Sequence, residues 1–260
     1  MQEMQITFLG TGTSHGIPVI GCECAVCRSD DPRDKRLRTA IHVATPEYSL
    51  IVDTPPDFRT QCLREGISRV DAVLYTHSHV DHILGFDDLR RFCELENKSI
   101  PIHASAQTLE NLSRVFKYAF DGTAQFANYV RPAPHLIDGP LSLGGLKIVP
   151  VELPHGRMVT SGFVFEKSGR RLFAYFTDCA AVPPEAEEAA RDVDVLVIDA
   201  LRHHSHQTHF TVAGALEAAR RIRAKKTLFI HMCHDLGHVA TEADLPPDVR
   251  LAYDGLRLDF

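Results

Sequence analysis

Three imidazoles and a carboxylate fall within His77-Ser78-His79-Val80-Asp81-His82. Neutral imidazoles and carboxylates are ligands for Zn²⁺, Mn²⁺ or Fe. His77 and His79, two residues apart, share one side of an extended chain. Asp81 and His82 then turn back at the start of the next element. Four ligands in one loop exceed what a single tetrahedral ion with an open catalytic position takes. The spacing therefore points to two neighbouring divalent metals sharing the loop. In a chain with 15 His, a pair spaced by one residue is unremarkable. The full string, placed directly after an apolar run, is much more specific than a His-rich surface loop.

A second cluster is Cys22-Glu23-Cys24-Ala25-Val26-Cys27, in a loop entered through Pro18 and Gly21. Three thiolates at this spacing can wrap one structural zinc, and a fourth ligand closes the tetrahedron. His234 is the best candidate for the fourth, with Cys233 beside it as the alternative. A redox pair would more usually be C-x-x-C alone. Cys62, Cys93 and Cys179 have no metal spacing and read as small core residues. Arg157 and Arg202 suit a phosphate, although surface charge is the commoner role for Arg.

The elements that must position these groups read as an α/β pattern. Strands are expected at Met4–Leu9, Ala40–Thr45 and Tyr48–Asp53, with Pro46-Glu47 as a turn. Asp71–Tyr75 is a buried strand leading straight into the His motif. Further strands are expected at Leu146–Val151, Thr160–Glu166, Arg171–Thr177, Val193–Asp199 and Thr227–His231. Helices are expected from Pro55-Pro56 to Arg64, stopped by Gly66, and over Ile83–Leu95, Ala106–Ala119 and Val212–Ala224. The Pro- and Gly-rich stretch 121–143 gives no clear pattern.

The His77–His82 segment resembles the hallmark motif of the metallo-β-lactamase superfamily. That resemblance implies an αβ/βα sandwich, two mixed β-sheets flanked by helices. It also implies further ligands at strand ends: His155 in Leu153-Pro154-His155-Gly156, Asp178 in Phe176-Thr177-Asp178, and His231 after Thr227–Ile230. By resemblance, His77, His79 and His155 hold one metal, Asp81, His82 and His231 the other, and Asp178 bridges them. The Cys cluster with His234 narrows the resemblance to the PhnP branch, phosphodiesterases that open cyclic phosphates. That branch implies an active-site His in the loop 202–211. His209, leading into the Val212–Ala224 helix, matches best, with His206 as runner-up. Asp81 and His209 are thus the expected catalytic residues.

Length and composition suit one soluble globular domain, and the resemblance makes it a single hydrolase domain over 1–260 carrying a small structural-zinc loop at 21–28. The net charge of -6 lacks the basic stripe of an extended nucleic-acid grip. It also disfavours a ribonuclease Z-like enzyme, although a small anionic substrate is compatible. No apolar stretch reaches membrane-spanning length, and Met1–Gly10 lacks a secretion pattern. A cytoplasmic location with reduced thiols is the expectation. A homodimer is an open expectation for the oligomeric state. The expected activity is that of a phosphodiesterase with two catalytic metals, Zn or Mn, and one structural Zn. Its substrate is a small phosphodiester, cyclic and ribosyl 1,2-cyclic phosphate-like in one form. The alternatives are a PqqB-like non-enzymatic cofactor-biosynthesis or binding protein, and a ribonuclease Z-like or thioesterase hydrolase of the same fold.

Overall fold

The apolar runs pair into two mixed seven-stranded sheets, with helices packed on both, as the family resemblance implies. The structure, a computed structural model, describes residues 4–122 and 128–260. The chain divides into two compact units, each built on one sheet. Strands are numbered in chain order.

The first unit comprises the segment ending at Leu9, Ala40–Asp138 and Arg257–Phe260. Its strands are β1 (Gln5–Gly10), β2 (Ala40–Ala44), β3 (Ser49–Val52), β4 (Ala72–Leu74), β5 (Ile100–Ala104), β6 (Pro132–Leu136) and the late β14 (Arg257–Asp259). They lie in the order β14-β1-β2-β3-β4-β5-β6. β2 and β3 form the expected antiparallel hairpin, and β3 to β6 run parallel. Ile51, Val73 and Ile102 lie side by side across β3, β4 and β5. They pack with Phe58, Phe86, Phe92 and Leu112 into one apolar cluster. Each such side chain, fully buried, contributes roughly 1.5–3 kcal/mol.

Two helix expectations need correction. The expected helix Ile83–Leu95 is a helical turn at Val80–Ile83, a 3₁₀ turn at Phe86–Leu89 and a helix at Arg90–Glu96. The break centres on Gly85, whose N–H donates to the Thr54 carbonyl at 2.9 Å. A Cβ there would lie 2.2 Å from the Pro55 carbonyl oxygen. The expected helix Ala106–Ala119 is capped by Ser105, runs to Val115 and resumes at Lys117–Phe120. Phe116 leaves helical geometry and stacks on Phe86, with centroids 4.5 Å apart. The strands β5 and β6 were not legible. β6 carries Pro132 and Pro134, which an edge strand tolerates because its outer N–H groups need no partner. Part of the unassigned stretch, 123–127, lies outside the described residues.

The second unit comprises Gly10–Thr39 and Gly139–Leu256. Its strands are β7 (Leu141–Leu143), β8 (Leu146–His155), β9 (Met158–Lys167), β10 (Arg170–Phe176), β11 (Val195–Asp199), β12 (Lys226–Ile230) and β13 (Val249–Leu251), in the order β13-β12-β11-β10-β9-β8-β7. β7 to β10 form an antiparallel meander, and β10 to β13 are parallel. The β11 residues Val195–Asp199 are all buried, as a strand covered on both faces requires. The helix Val212–Ile222 is capped by Thr211, whose hydroxyl accepts from the Gly214 N–H at 3.0 Å. Among the described residues, no helix is long and apolar enough to cross a membrane.

Candidate metal centres

In the first unit the ligand-bearing groups gather where β3 and β4 end. The chain is extended through His79, and the helical turn begins at Val80, so Asp81 and His82 sit in its first residues. The His77 ring lies 4.6 Å from that of His79 and 4.3 Å from that of His82. Asp81 Oδ2 is 3.5 Å from His82 Nε2. Beneath them stands Asp53, fully buried and in the left-handed region at φ 65°. Its carboxylate accepts from the Thr76 N–H at 2.9 Å and the Thr76 hydroxyl at 2.8 Å, and lies 2.8 Å from His82 Nδ1. Burial pushes the Asp53 carboxyl up, and His82 and Thr76 oppose the shift. A carboxylate holding one imidazole nitrogen turns the other toward a ligand role. Asn111 donates to the Ser78 hydroxyl at 2.8 Å, tying the motif to the helix Ala106–Val115.

In the second unit the groups lie at the C-terminal ends of β8, β10, β11 and β12, where α/β sheets collect ligands. His155 ends β8, and its Nδ1 is 2.8 Å from the Thr208 carbonyl, to which the ring N–H donates. Gly156 makes this approach geometrically feasible, with φ 64° and Thr208 Cγ2 only 2.6 Å from where a Cβ would stand. Asp178 follows β10, and its Oδ1 is 3.2 Å from His231 Nε2. Thr177 donates to Asp178 Oδ2 at 2.6 Å. Asp178 and His231 both adopt positive φ, 52° and 60°. Such strain in non-glycine residues concentrates at functional sites.

His209 stands in the same cluster. Its ring is 4.7 Å from those of His155 and His231, stacked on the latter. Its Nδ1 is 2.5 Å from Asp199 Oδ2, at the end of β11. Burial drives the Asp199 carboxyl well above the usual carboxylate range, opposed by His231. His155, Asp178 and His209 offer donor atoms within 4.8 Å of one another, as do Asp199, His209 and His231. The His206 ring lies 5.1 Å from that of His209, and its Nδ1 accepts from the Thr208 N–H at 3.3 Å. Arg202 donates to the carbonyls of His204 and Ser205. Arg202, His206 and His209 line one cleft of about 340 Å³ with Thr13, Ser14 and His15. Arg157 lies in the turn between β8 and β9.

The thiol cluster is also within the second unit. Cys22, Cys24 and Cys27 lie 3.2, 3.6 and 3.5 Å from His234 Nδ1. A tetrahedral zinc with Zn–S ~2.3 Å and Zn–N ~2.0 Å has S···N edges of about 3.5 Å, so the four donors fit that ion. Cys24 caps the short helix Ala25–Arg28 by accepting from the Cys27 N–H at 3.4 Å. That bond is the main reason its thiol is lowered to about 7. Burial raises Cys27 to about 11, against the thiolate form a metal requires. The Val19 N–H, 3.3 Å from Cys27 Sγ, works the other way. Cys233 accepts from the Asp235 N–H and stands outside the set.

Asp53 and Asp199 escaped the sequence reading as site residues. Their signal was present: each is a carboxylate closing an apolar strand, Leu50-Ile51-Val52-Asp53 and Leu196-Val197-Ile198-Asp199. A polar residue at the C-terminal end of a buried strand merits the same attention as a ligand motif.

Residues 48–232 match the family described as the Beta-lactamase superfamily domain, and the chain belongs to that superfamily. A crystal structure reported as a new diphosphatase from the PhnP family is similar throughout. It has TM-score 0.91 and 40% identity, covering 99% of this chain and 98% of that one. An octanoyltransferase from Porphyromonas gingivalis is 34% identical over 262 residues, 97% of this chain and 51% of that protein. The chain thus spans about half the length of that relative. Coenzyme PQQ synthesis protein B from Xanthomonas axonopodis pv. citri is 27% identical over 227 residues, 75% of this chain and 72% of that protein. Zinc-bound PqqB from Methylobacterium extorquens shares the fold, with TM-score 0.79 at 21% identity over 98% of this chain and 100% of that one. The chain has the metallo-β-lactamase hydrolase fold and carries groups that could hold metal ions.

Proposed function

We propose that the chain is a dinuclear-metal phosphodiesterase acting on a small anionic phosphodiester in a single functional domain. Cleavage would fall at a phosphorus carrying two bridging oxygens. A ribosyl 1,2-cyclic phosphate and a substituted diphosphate both meet that description, and the likeness to a PhnP-family diphosphatase favours including the second. The observation that carries the reading is the Asp199–His209 pair, 2.5 Å apart, beside the strand-end ligands. A sugar or phosphate oxygen leaves poorly unless protonated, whereas a thiolate leaves unaided. A positioned proton donor therefore favours phosphodiester over thioester cleavage.

The proposed ligand sets are His77, His79 and His155, and Asp81, His82 and His231, with Asp178 between them. Bound divalent cations, Zn or Mn, would supply Lewis-acid polarisation and a water acidified toward neutrality. Everything else is done by the chain. Asp53 fixes the orientation of His82, and the Thr208 carbonyl fixes that of His155. Thr177 holds one oxygen of Asp178. Asp199 in its ionised form, which His231 favours against burial, would accept from His209 Nδ1–H and stabilise the imidazolium, so that Nε2–H can be delivered to the leaving oxygen. Cys22, Cys24, Cys27 and His234 would hold the structural zinc, a set suited to a reducing cytoplasm.

A PqqB-like binding role is the second reading, favoured by the 27% identity to coenzyme PQQ synthesis protein B. The activity named for the P. gingivalis relative stays with that protein, half of which has no counterpart here. A hydrolysis panel on metal-loaded protein tests the proposal. It contains a ribosyl cyclic phosphate, 2′,3′-cyclic nucleotides, a linear phosphodiester, a substituted diphosphate, a thioester and a β-lactam. Turnover of a phosphodiester or diphosphate is expected. Turnover confined to the thioester or lactam, or none at all, contradicts it.

A further inference from the structure

Among the described residues Arg36 is the largest fully buried side chain, with no exposed surface. It pairs with Asp34 at 3.2 Å, whose carboxylate also accepts from the His238 N–H at 2.8 Å, and Asp254 and Asp31 act on its charge as well. Burying a guanidinium costs more than burying an apolar chain of equal volume unless its donors are all used. Stability alone would be served as well by Met or Leu. The fork adds position. Nη1 donates to the Cys233 carbonyl at 3.1 Å and Nη2 to the Leu236 carbonyl at 2.5 Å. These two carbonyls bracket His234, and Cys233 lies two residues beyond His231. Nε donates to the Arg33 carbonyl at 3.3 Å.

The backbone of Arg36 is tied to the other side of the thiol loop. Arg36 and Ile17 exchange N–H···O bonds of 2.9 and 2.8 Å just before Cys22–Cys27. Lys35 donates to the Cys27 carbonyl at 3.2 Å. The segment that Arg36 clamps is otherwise held by Met232, which pairs with Thr11 and Thr13, and by the Cys233 N–H on the Leu201 carbonyl. Arg36 thus joins two segments, its backbone pairing with Ile17 ahead of the three thiols and its guanidinium holding the turn that bears His231 and His234.

We propose that Arg36 is a positioning residue that couples the Cys22/Cys24/Cys27/His234 metal site to the strand-end ligand His231. Filling the thiol site sets the 231–236 turn and raises the affinity of the imidazole site for its cations. Such a coupling is reciprocal. The proposal rests on the reading of His231 and His234 as ligands of two separate centres.

Cobalt titrations test it, because thiolate ligation gives a charge-transfer absorption that imidazole and carboxylate ligation lacks. Affinities at both sites are measured for the wild type, Arg36→Lys, Cys24→Ser and the double variant. With the fold intact by circular dichroism, Arg36→Lys is expected to weaken both sites about tenfold. Cys24→Ser is expected to weaken the imidazole site by at least about fivefold in the wild-type background, within the usual range of such couplings. In the Arg36→Lys background that further loss should vanish. Ile222→Ala, in the apolar core of the same unit, loosens the fold without touching the clamp and should leave both affinities unchanged. Should the lysine variant not fold, Arg36→Met with Asp34→Asn removes the charge pair together and carries the same test. Unchanged affinities in the clamp variant, an equal Cys24→Ser effect in both backgrounds, or an equal loss in Ile222→Ala overturns the proposal. Cobalt bound by wild type only at the thiolates sinks the dinuclear reading itself, and the coupling with it.

Discussion

At the scale of single residues, the proposed ligands depend on partners one bond further out. Asp53 fixes His82 and the Thr76 backbone in one carboxylate. Asp53→Asn keeps the shape but gives up the acceptor facing the imidazole N–H. Losses at such outer partners typically weaken metal binding about 10–100-fold, and a competition titration with a chelating dye should show that drop in cation affinity. Binding at wild-type strength would remove Asp53 from the site. His209→Ala should lower kcat on a diester with an alkoxide leaving group by about 10²–10⁴. On a p-nitrophenyl diester, whose leaving group needs no proton, the same change should have far less effect. Equal losses on both substrates would mean that His209 does not act as the acid.

The elements explain why some of this was legible and some was not. The His77–His82 string could be placed because a consecutive apolar run, Ala72-Val73-Leu74, leads into it and reads as a buried strand. His155, Asp178 and His231 follow strands of the same kind, so resemblance and burial agreed. The break in the expected Ile83–Leu95 helix was not legible, since it comes from a distant segment. Pro55 and Phe58 press on Gly85 from the preceding crossover, and local periodicity carries no trace of them. β6 was hidden by its prolines, and Phe116 by a core that outweighs helical propensity. The same close approach yields a prediction. In Gly85→Ala the new Cβ would stand 2.7 Å from Phe58 Cβ, so the turn Val80–Ile83 must shift. Such overpacking costs about 1–3 kcal/mol or more, or roughly 2–10 °C in Tm for a chain of this size. Thermal denaturation measures it, and an unchanged Tm would show that the turn yields freely.

For the molecule as a whole, buried neutral histidines make stability depend on pH. Burial lowers His42 to about 4 from 6.5, where its ring is 2.8 Å from the Ser49 hydroxyl. Burial lowers His103 to about 4 as well, with His135 adding to the shift. Between these values and 6.5 the unfolded chain binds protons that the folded chain refuses. Stability is therefore full above pH 6.5 and falls as the pH drops toward 4. The slope is at most about 1.4 kcal/mol per pH unit for each imidazole. Urea denaturation of metal-free protein across that window should show it, and His42→Gln should flatten it; an unaltered slope would contradict the assignment.

The central claim is that this chain holds a pair of catalytic cations as well as a structural zinc. Elemental analysis of protein loaded with Zn or Mn and freed of excess metal measures that directly. Two cations on the strand-end ligands and one on the thiolates give about three per chain, the expected result. About one per chain, lost in Cys24→Ser and retained in His79→Ala, would leave a zinc-stabilised binding protein and contradict it.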